Sequence, residues 1–220
     1  MKPAPKGRLV YCSYASTGAA GLGKDYCELI ADVDSTPKVV VVLGEGNRFD
    51  DPVIRGEYPV TPDLADSLCK ELKARKVYKL AGYSLNEPVT GGYSYRIHME
   101  YSSGEKVNAF WYGSGVKQEA LSAYRFIESF FAPWREQALA DALIARVQEM
   151  EQRFDRLSDA LKKGTRYEDM KADYEALDWY MRSGQWQKDF EADEKGLLPK
   201  DMKRGVLSED GLYDVLSRYR

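Results

Sequence analysis

The sequence predicts an α+β protein: an N-terminal antiparallel sheet with two helices, followed by an all-α C-terminal domain built on a helical hairpin. Three observations lead there. The composition changes near Pro133, from Gly, Val, Tyr and Pro with frequent turn signals to Ala, Glu, Asp, Lys, Arg and Leu. Tyr93, Tyr95, Ile97, Met99 and Tyr101 alternate with Ser94, Arg96, His98 and Glu100, the period of a strand with one buried and one wet face. Finally, Leu139, Leu143, Val147, Met150, Phe154, Leu157 and Leu161 follow at spacings of four, four, three, four, three and four, a sustained apolar seam on one helix. The division that follows is 1–132 for the α+β domain and 133–220 for the helical domain.

In chain order, Arg8–Tyr14 and Pro37–Gly44 are β-branched and aromatic, and read as strands. Thr61 and Pro62 start a helix, a cap residue followed by proline at the first helical position. Leu64, Leu68 and Leu72 give it one apolar face. Strand-like segments follow at Tyr78–Leu85, Tyr93–Tyr101 and Lys106–Gly113, with a hairpin turn predicted at Ser102–Glu105. A second helix carries Ala120, Tyr124, Ile127 and Phe131 on one side. Pro133 is then either a joint between the halves or a kink in a helix that runs through it. The seam breaks at Lys162–Asp169, and Tyr167, Met170, Tyr174, Leu177 and Met181 resume the helical spacing. Two such helices joined by a short turn fold back on each other.

The formal net charge of −3 over 220 residues leaves no broad basic field for a phosphate backbone, so no nucleic-acid partner is expected. Acids and bases balance over residues 1–132, 16 of each, and the acidic surplus sits in 133–220, 19 against 16. No apolar run has the length of a membrane span or of a signal peptide, so no membrane association is expected. Cys12, Cys27 and Cys69 match no zinc spacing and point to a reduced, cytoplasmic protein.

Five stretches invite a chemical reading. Gly18–Asp25 has the G-x-x-x-x-G-K spacing of a phosphate loop, in which Gly18, Gly23 and Lys24 would surround phosphate oxygens. Asp25 stands where such a loop carries the Ser or Thr that holds Mg²⁺; a carboxylate can bind Mg²⁺, but it would also repel the phosphates. The loop must also open a helix, and Asp25–Val33 fits helical and strand spacing equally. The plain alternative is a glycine-rich hairpin. His98 is the one histidine, on the wet face with Arg96 and Glu100, and could serve as a general base, but no nucleophile accompanies it in sequence. Phe49–Asp51 and Asp189–Glu194 are acidic but lack a calcium-loop pattern and read as solvated acidic turns; Glu45 makes a poor second metal ligand. No cofactor is expected.

The last stretch, Lys203–Leu216, combines a basic pair, a glycine, a serine and adjacent acids. Ser208 reads as an N-cap, with Glu209 and Asp210 in the first turn, where carboxylates offset the positive helix terminus. Leu207 and Leu212 have the spacing of a hydrophobic staple, and Gly205 gives the chain freedom to turn. Leu212, Val215, Leu216 and Tyr219 form the stripe to be buried.

Over Trp179–Asp210 the chain resembles the bacterial family domain of unknown function 4298. Trp186, Asp189, Asp193, Gly196, Pro199, Lys203, Arg204 and the run Gly205–Asp210 sit as the family pattern has them. The likeness begins near Ala145–Leu157 and extends to about Leu216. Met181 departs from it, where the family often has a second tyrosine. The resemblance implies a compact set of helices and no established activity. Trp186, Asp189, Lys203, Arg204, Glu209 and Asp210 would converge if Leu197–Asp201 folds back, either as a protein-binding patch or as an internal salt-bridge cluster that fixes the tail. The functional expectation is a non-catalytic protein-interaction or assembly module, binding a protein partner or itself through surplus apolar surface on the long seam. The alternative is a nucleotide- or phosphate-binding protein using Gly18–Asp25.

Overall fold

The computed structural model describes residues 3–18, 24–32, 35–44, 53–88 and 91–219. The chain divides into two compact units, Met1–Ala138 and Leu139–Arg220.

In the first unit, β1 (Leu9–Gly18), β2 (Lys24–Ile30), β3 (Lys38–Gly44) and β4 (Val53–Pro59) form a meander. Helix α1 (Pro62–Ala74) and a 3₁₀ turn (Val77–Leu80) lead to β5 (Tyr83–Asn86), and β6 (Tyr93–Tyr101) and β7 (Lys106–Tyr112) follow as a hairpin. Among the described residues the sheet has seven strands in the order β4-β3-β2-β1-β6-β7-β5. Its pairs are antiparallel except β5 with β7: the chain reverses from β5 to β6 and again from β6 to β7, so β5 and β7 run in the same direction. Of the predicted strand Tyr78–Leu85 only Tyr83–Leu85 is extended, as part of β5, and the 3₁₀ turn Val77–Leu80 takes up its start. β4 was not expected: Gly56 between Arg55 and Glu57 gives it little strand character, and pairing with β3 imposes it.

Alternation assigns the two faces. Cys12, Tyr14, Cys27, Leu29, Val39, Val41, Ile97, Met99 and Trp111 are buried on one face. α1 contributes Ala65, Leu68, Cys69 and Leu72 to this core. Thr61 caps α1 by its extended backbone and Pro62 starts it, as expected, although the Thr61 hydroxyl makes no cap hydrogen bond. The other covering helix is α2 (Gln118–Lys163). Its Tyr124 ring meets Tyr14, Tyr95 and Trp111 at centroid distances of 5.4, 4.9 and 5.8 Å, geometries worth about 0.5–1.5 kcal/mol each beyond burial.

The two helices predicted on either side of Pro133 are one helix of 46 residues that runs through the proline. Proline withdraws a single backbone donor, and the flanking turns carry apolar residues on a continuous face, which outweighs that loss. α2 begins in the first unit and ends in the second.

The second unit is the rest of α2 with α3 (Tyr167–Arg182), α4 (Gln185–Glu194), a 3₁₀ turn (Gly205–Leu207) and α5 (Glu209–Ser217). Gly164 and Gly184 hold the turns on either side of α3 with φ of 67° and 79°, a conformation costly for other residues. α3 folds back along α2, and Arg153 and Arg156 of α2 both reach Asp173 of α3. The core gathers Val147, Leu157, Leu177, Tyr180, Trp186, Leu198, Val206, Leu207, Leu212 and Leu216.

Candidate functional site

The tail residues that resembled a binding patch are distributed from interior to solvent. Trp186 is buried; its indole N–H donates to the Val206 carbonyl at 2.9 Å and its ring stacks on Phe190. Asp189 is 1% exposed. Its carboxylate accepts two bonds from the Arg146 guanidinium, each 2.9 Å, one from the Tyr180 hydroxyl at 2.9 Å and one from the Gln185 amide at 3.0 Å. Four donors around one carboxylate satisfy a buried charge. Burial, and then the Asp189 charge, push the Tyr180 phenol well up, so it remains a donor. Asp189–Glu194, read from sequence as an acidic turn, is therefore part of helix α4 with one acid in the core.

Lys203 and Arg204 tie down the segment before α5. Lys203 pairs with Asp155 and lies 3.5 Å from Glu151. Arg204 pairs with Asp193 at 3.2 Å and donates to the Pro199 carbonyl at 2.5 Å. Glu151 is itself buried and accepts the Val206 amide at 2.6 Å. Gly205 does not need a left-handed φ. It is required by close approach, since a Cβ there would lie 2.9 Å from the Glu151 carboxylate and 3.1 Å from the Phe154 ring. Glu209 and Asp210 are exposed in the first turn of α5, and the Ser208 hydroxyl accepts the Gly211 amide at 3.2 Å. The six residues thus form no single surface. Trp186 and Asp189 are interior, Lys203 and Arg204 hold the tail, and Glu209 and Asp210 face water.

Three partners went unnoticed in the sequence: Arg146, Glu151 and Tyr180. A signal existed for two of them. Arg146 is three residues after Leu143 and four before Met150, and Glu151 is four after Val147 and three before Phe154, so both charges lie on the apolar seam. A charge at such a position needs a buried partner.

The glycine-rich stretch lies partly outside the described residues, which omit 19–23. Its flanks are informative. Thr17 pairs with Lys24 across β1 and β2, and Lys24 opens a strand, not the helix that a phosphate loop begins. Asp25, considered for Mg²⁺, instead accepts a 2.6 Å bond from Arg135 of α2. Burial raises its pKa and the Arg135 charge opposes that shift. Glu45 and Phe49–Asp51 lie outside the described residues. Among the described residues no group of three His, Cys, Asp or Glu side chains is close enough to hold a metal ion.

The sheet face away from the core carries the remaining cluster. Tyr11 and Tyr26 both donate to the Glu28 carboxylate, Tyr11 at 2.6 Å, and their hydroxyls are 2.5 Å apart. Burial first, and then Glu28, raise the pKa of both phenols. The Tyr11 ring lies 5.3 Å from the His98 ring. His98 bonds Asn108 through Nδ1 at 2.5 Å and Glu100 through Nε2 at 2.8 Å, and Lys106 reaches Glu100 at 2.7 Å. Lys106, and then His98, hold the Glu100 carboxyl below the usual range. Backbone register aligns Glu28, Ser13, His98 and Asn108 as one row across β2, β1, β6 and β7. Both ring nitrogens of His98 are engaged, so it is held, not poised as a base. The three cysteines are buried and free, and burial pushes Cys12 up to about 12 and Cys27 up to about 11, away from thiolate chemistry.

A cleft of about 420 Å³ lies beside the end of α1, with Arg75, Lys76 and Lys79 on its rim. Arg75 is spread over the Phe126 ring and Glu119 places a carboxylate in the same cleft, so its charge is mixed.

Residues 147–220 match a protein family described as a domain of unknown function (DUF4298), and no family model covers the part before them. No curated protein matches the chain. Trp186, Asp189, Lys203, Arg204 and Glu151 lie within the match; Arg146 lies one residue before it.

Proposed function

We propose that the protein is a non-catalytic interaction or assembly module, and that the core-distal face of its sheet receives a protein partner. One observation carries this reading: the aromatic and charged side chains of that face, Tyr11, Tyr26, Glu28, His98 and Glu100, are held by one another in fixed positions and remain partly exposed. Surfaces of aromatic anchors among oriented charges bind proteins with little ordering cost. The surplus apolar seam expected to drive association has another use. Leu143, Val147, Met150, Phe154 and Leu157 are packed in the core of the second unit. Leu139 is the seam residue that is exposed.

The test is affinity capture with the full chain, followed by a titration of the captured protein against Tyr26→Ala and Glu28→Gln. The expected result is saturable binding, weakened on the order of tenfold or more by either change, with circular dichroism unchanged. Binding that ignores both changes would remove the face from the account. A rise in melting temperature with MgATP or MgGTP that Lys24→Ala abolishes would replace the interaction reading with nucleotide binding.

A further inference from the structure

Among the described residues the sheet ends on one side at β4, and the pattern of that edge is self-complementary. The Val60 amide bonds the Pro37 carbonyl on the β3 side. Backbone groups alternate along a strand, so Ile54, Gly56 and Tyr58 bond β3, and Val53, Arg55, Glu57 and Pro59 direct theirs outward. Pro59, which has no N–H, is at an outward position, where an edge tolerates it. Arg55 and Glu57 share the core-distal face, with side chains 69% and 47% exposed, on either side of Gly56.

We propose that this edge is a homodimer interface, in which β4 of two copies pair antiparallel about Gly56 so that Arg55 of each lies opposite Glu57 of the other. The occupant is a second copy because the order Arg-Gly-Glu becomes its own complement when reversed. The outward amides and carbonyls of Arg55 and Glu57 then satisfy each other in two reciprocal pairs, and the Val53 amide meets the Pro59 carbonyl. Gly56 faces Gly56 at the narrow, non-hydrogen-bonded position, where Cα atoms approach to about 4.5 Å. On the core side Ile54 falls opposite Tyr58, an apolar–aromatic pair. A shift of two residues in either direction sets Arg55 against Arg55 or Glu57 against Glu57, and a shift of one turns the outward groups away from each other. Edge charges that ward off other strands therefore select this register. The inference deepens the assembly reading and rests on it, but it uses the edge of the sheet and not its face.

The experiment is sedimentation velocity of the full chain over a concentration series, with Arg55→Glu, Glu57→Arg, the double exchange and a one-to-one mixture of the two single variants. The wild type is expected to dimerise. Each single variant should weaken the dimer on the order of tenfold or more, because like charges then face each other. The double exchange should dimerise, and so should the mixture, since a chain with two acids pairs with a chain with two bases. Unchanged circular dichroism confirms that these exposed changes leave the fold intact. A monomeric wild type, single variants that dimerise as the wild type does, or a mixture that stays monomeric would each overturn the proposal. Partner binding by the core-distal face in a monomeric protein would sink the edge dimer alone. A dimer whose face binds nothing would sink the reading of the face alone.

Discussion

Ser208 and Asp189 show how two polar residues nineteen positions apart stabilise the same tail by different means. The Ser208 hydroxyl satisfies one amide at an exposed helix start, which water could serve instead. Ser208→Ala should lower stability by about 1 kcal/mol with helix content retained, as read by urea unfolding followed at 222 nm. Asp189 is the buried acceptor of four donors. Asp189→Ala removes the acceptor of all four bonds from the core and should cost about 3–5 kcal/mol in the same assay. Equal losses for the two variants would contradict this division. Ser208 was legible because a cap is a local pattern of a few residues. The burial of Asp189 was not, since its neighbours come from α2 and α3, and only the fold brings them to it.

At the scale of elements, the helical hairpin of the second unit is joined by an ion cluster as well as by its apolar seam. Arg156 donates to both oxygens of Asp173, at 2.8 and 2.7 Å, and Arg153 adds a third bond at 3.1 Å. The Arg156 hydrogen bond, then the charges of Arg156 and Arg153, hold the Asp173 carboxyl below the ordinary range. A carboxyl with a lower pKa folded than unfolded stabilises the fold above the unfolded value, about 4 for aspartate, and loses that contribution as pH falls through the folded value. Stability should therefore decline below about pH 4, and Asp173→Asn should be less stable at pH 7 with a flatter acid limb. Melting temperatures measured from pH 2.5 to 7 check this; parallel curves for the two proteins would refute it. The seam, the break at Gly164 and the renewed spacing in α3 were readable because helical periodicity is a property of neighbours. The single course of α2 through Pro133 was not, because a proline permits either outcome and the burial of flanking residues decides between them. β4 was missed for a related reason: its extension comes from β3.

At the scale of the whole molecule, several described groups with reactive potential are committed to structure. Cys12, Cys27 and Cys69 are buried, His98 is bonded on both sides, and Asp25 is paired. The three thiols should resist iodoacetamide at pH 8 in the native protein and react only as the first unit opens, so that labelling rates rise in step with urea-induced unfolding. Rapid native labelling of any one would show a thiol accessible where the packing encloses it.

By itself, the sequence determined the α+β class, the antiparallel sheet before long helices, the likeness of its last third to a family without assigned activity, and the serine cap of the final helix. These depend on periodicity, composition and spacing, which are local and written along the chain. Tertiary structure alone decided that Trp186 and Asp189 are interior, that β2 is a strand, that Tyr11, Tyr26 and Glu28 meet, and that β4 is left at an edge. Each of these depends on which distant segment lies alongside, and that choice is made by the burial of the chain as a whole.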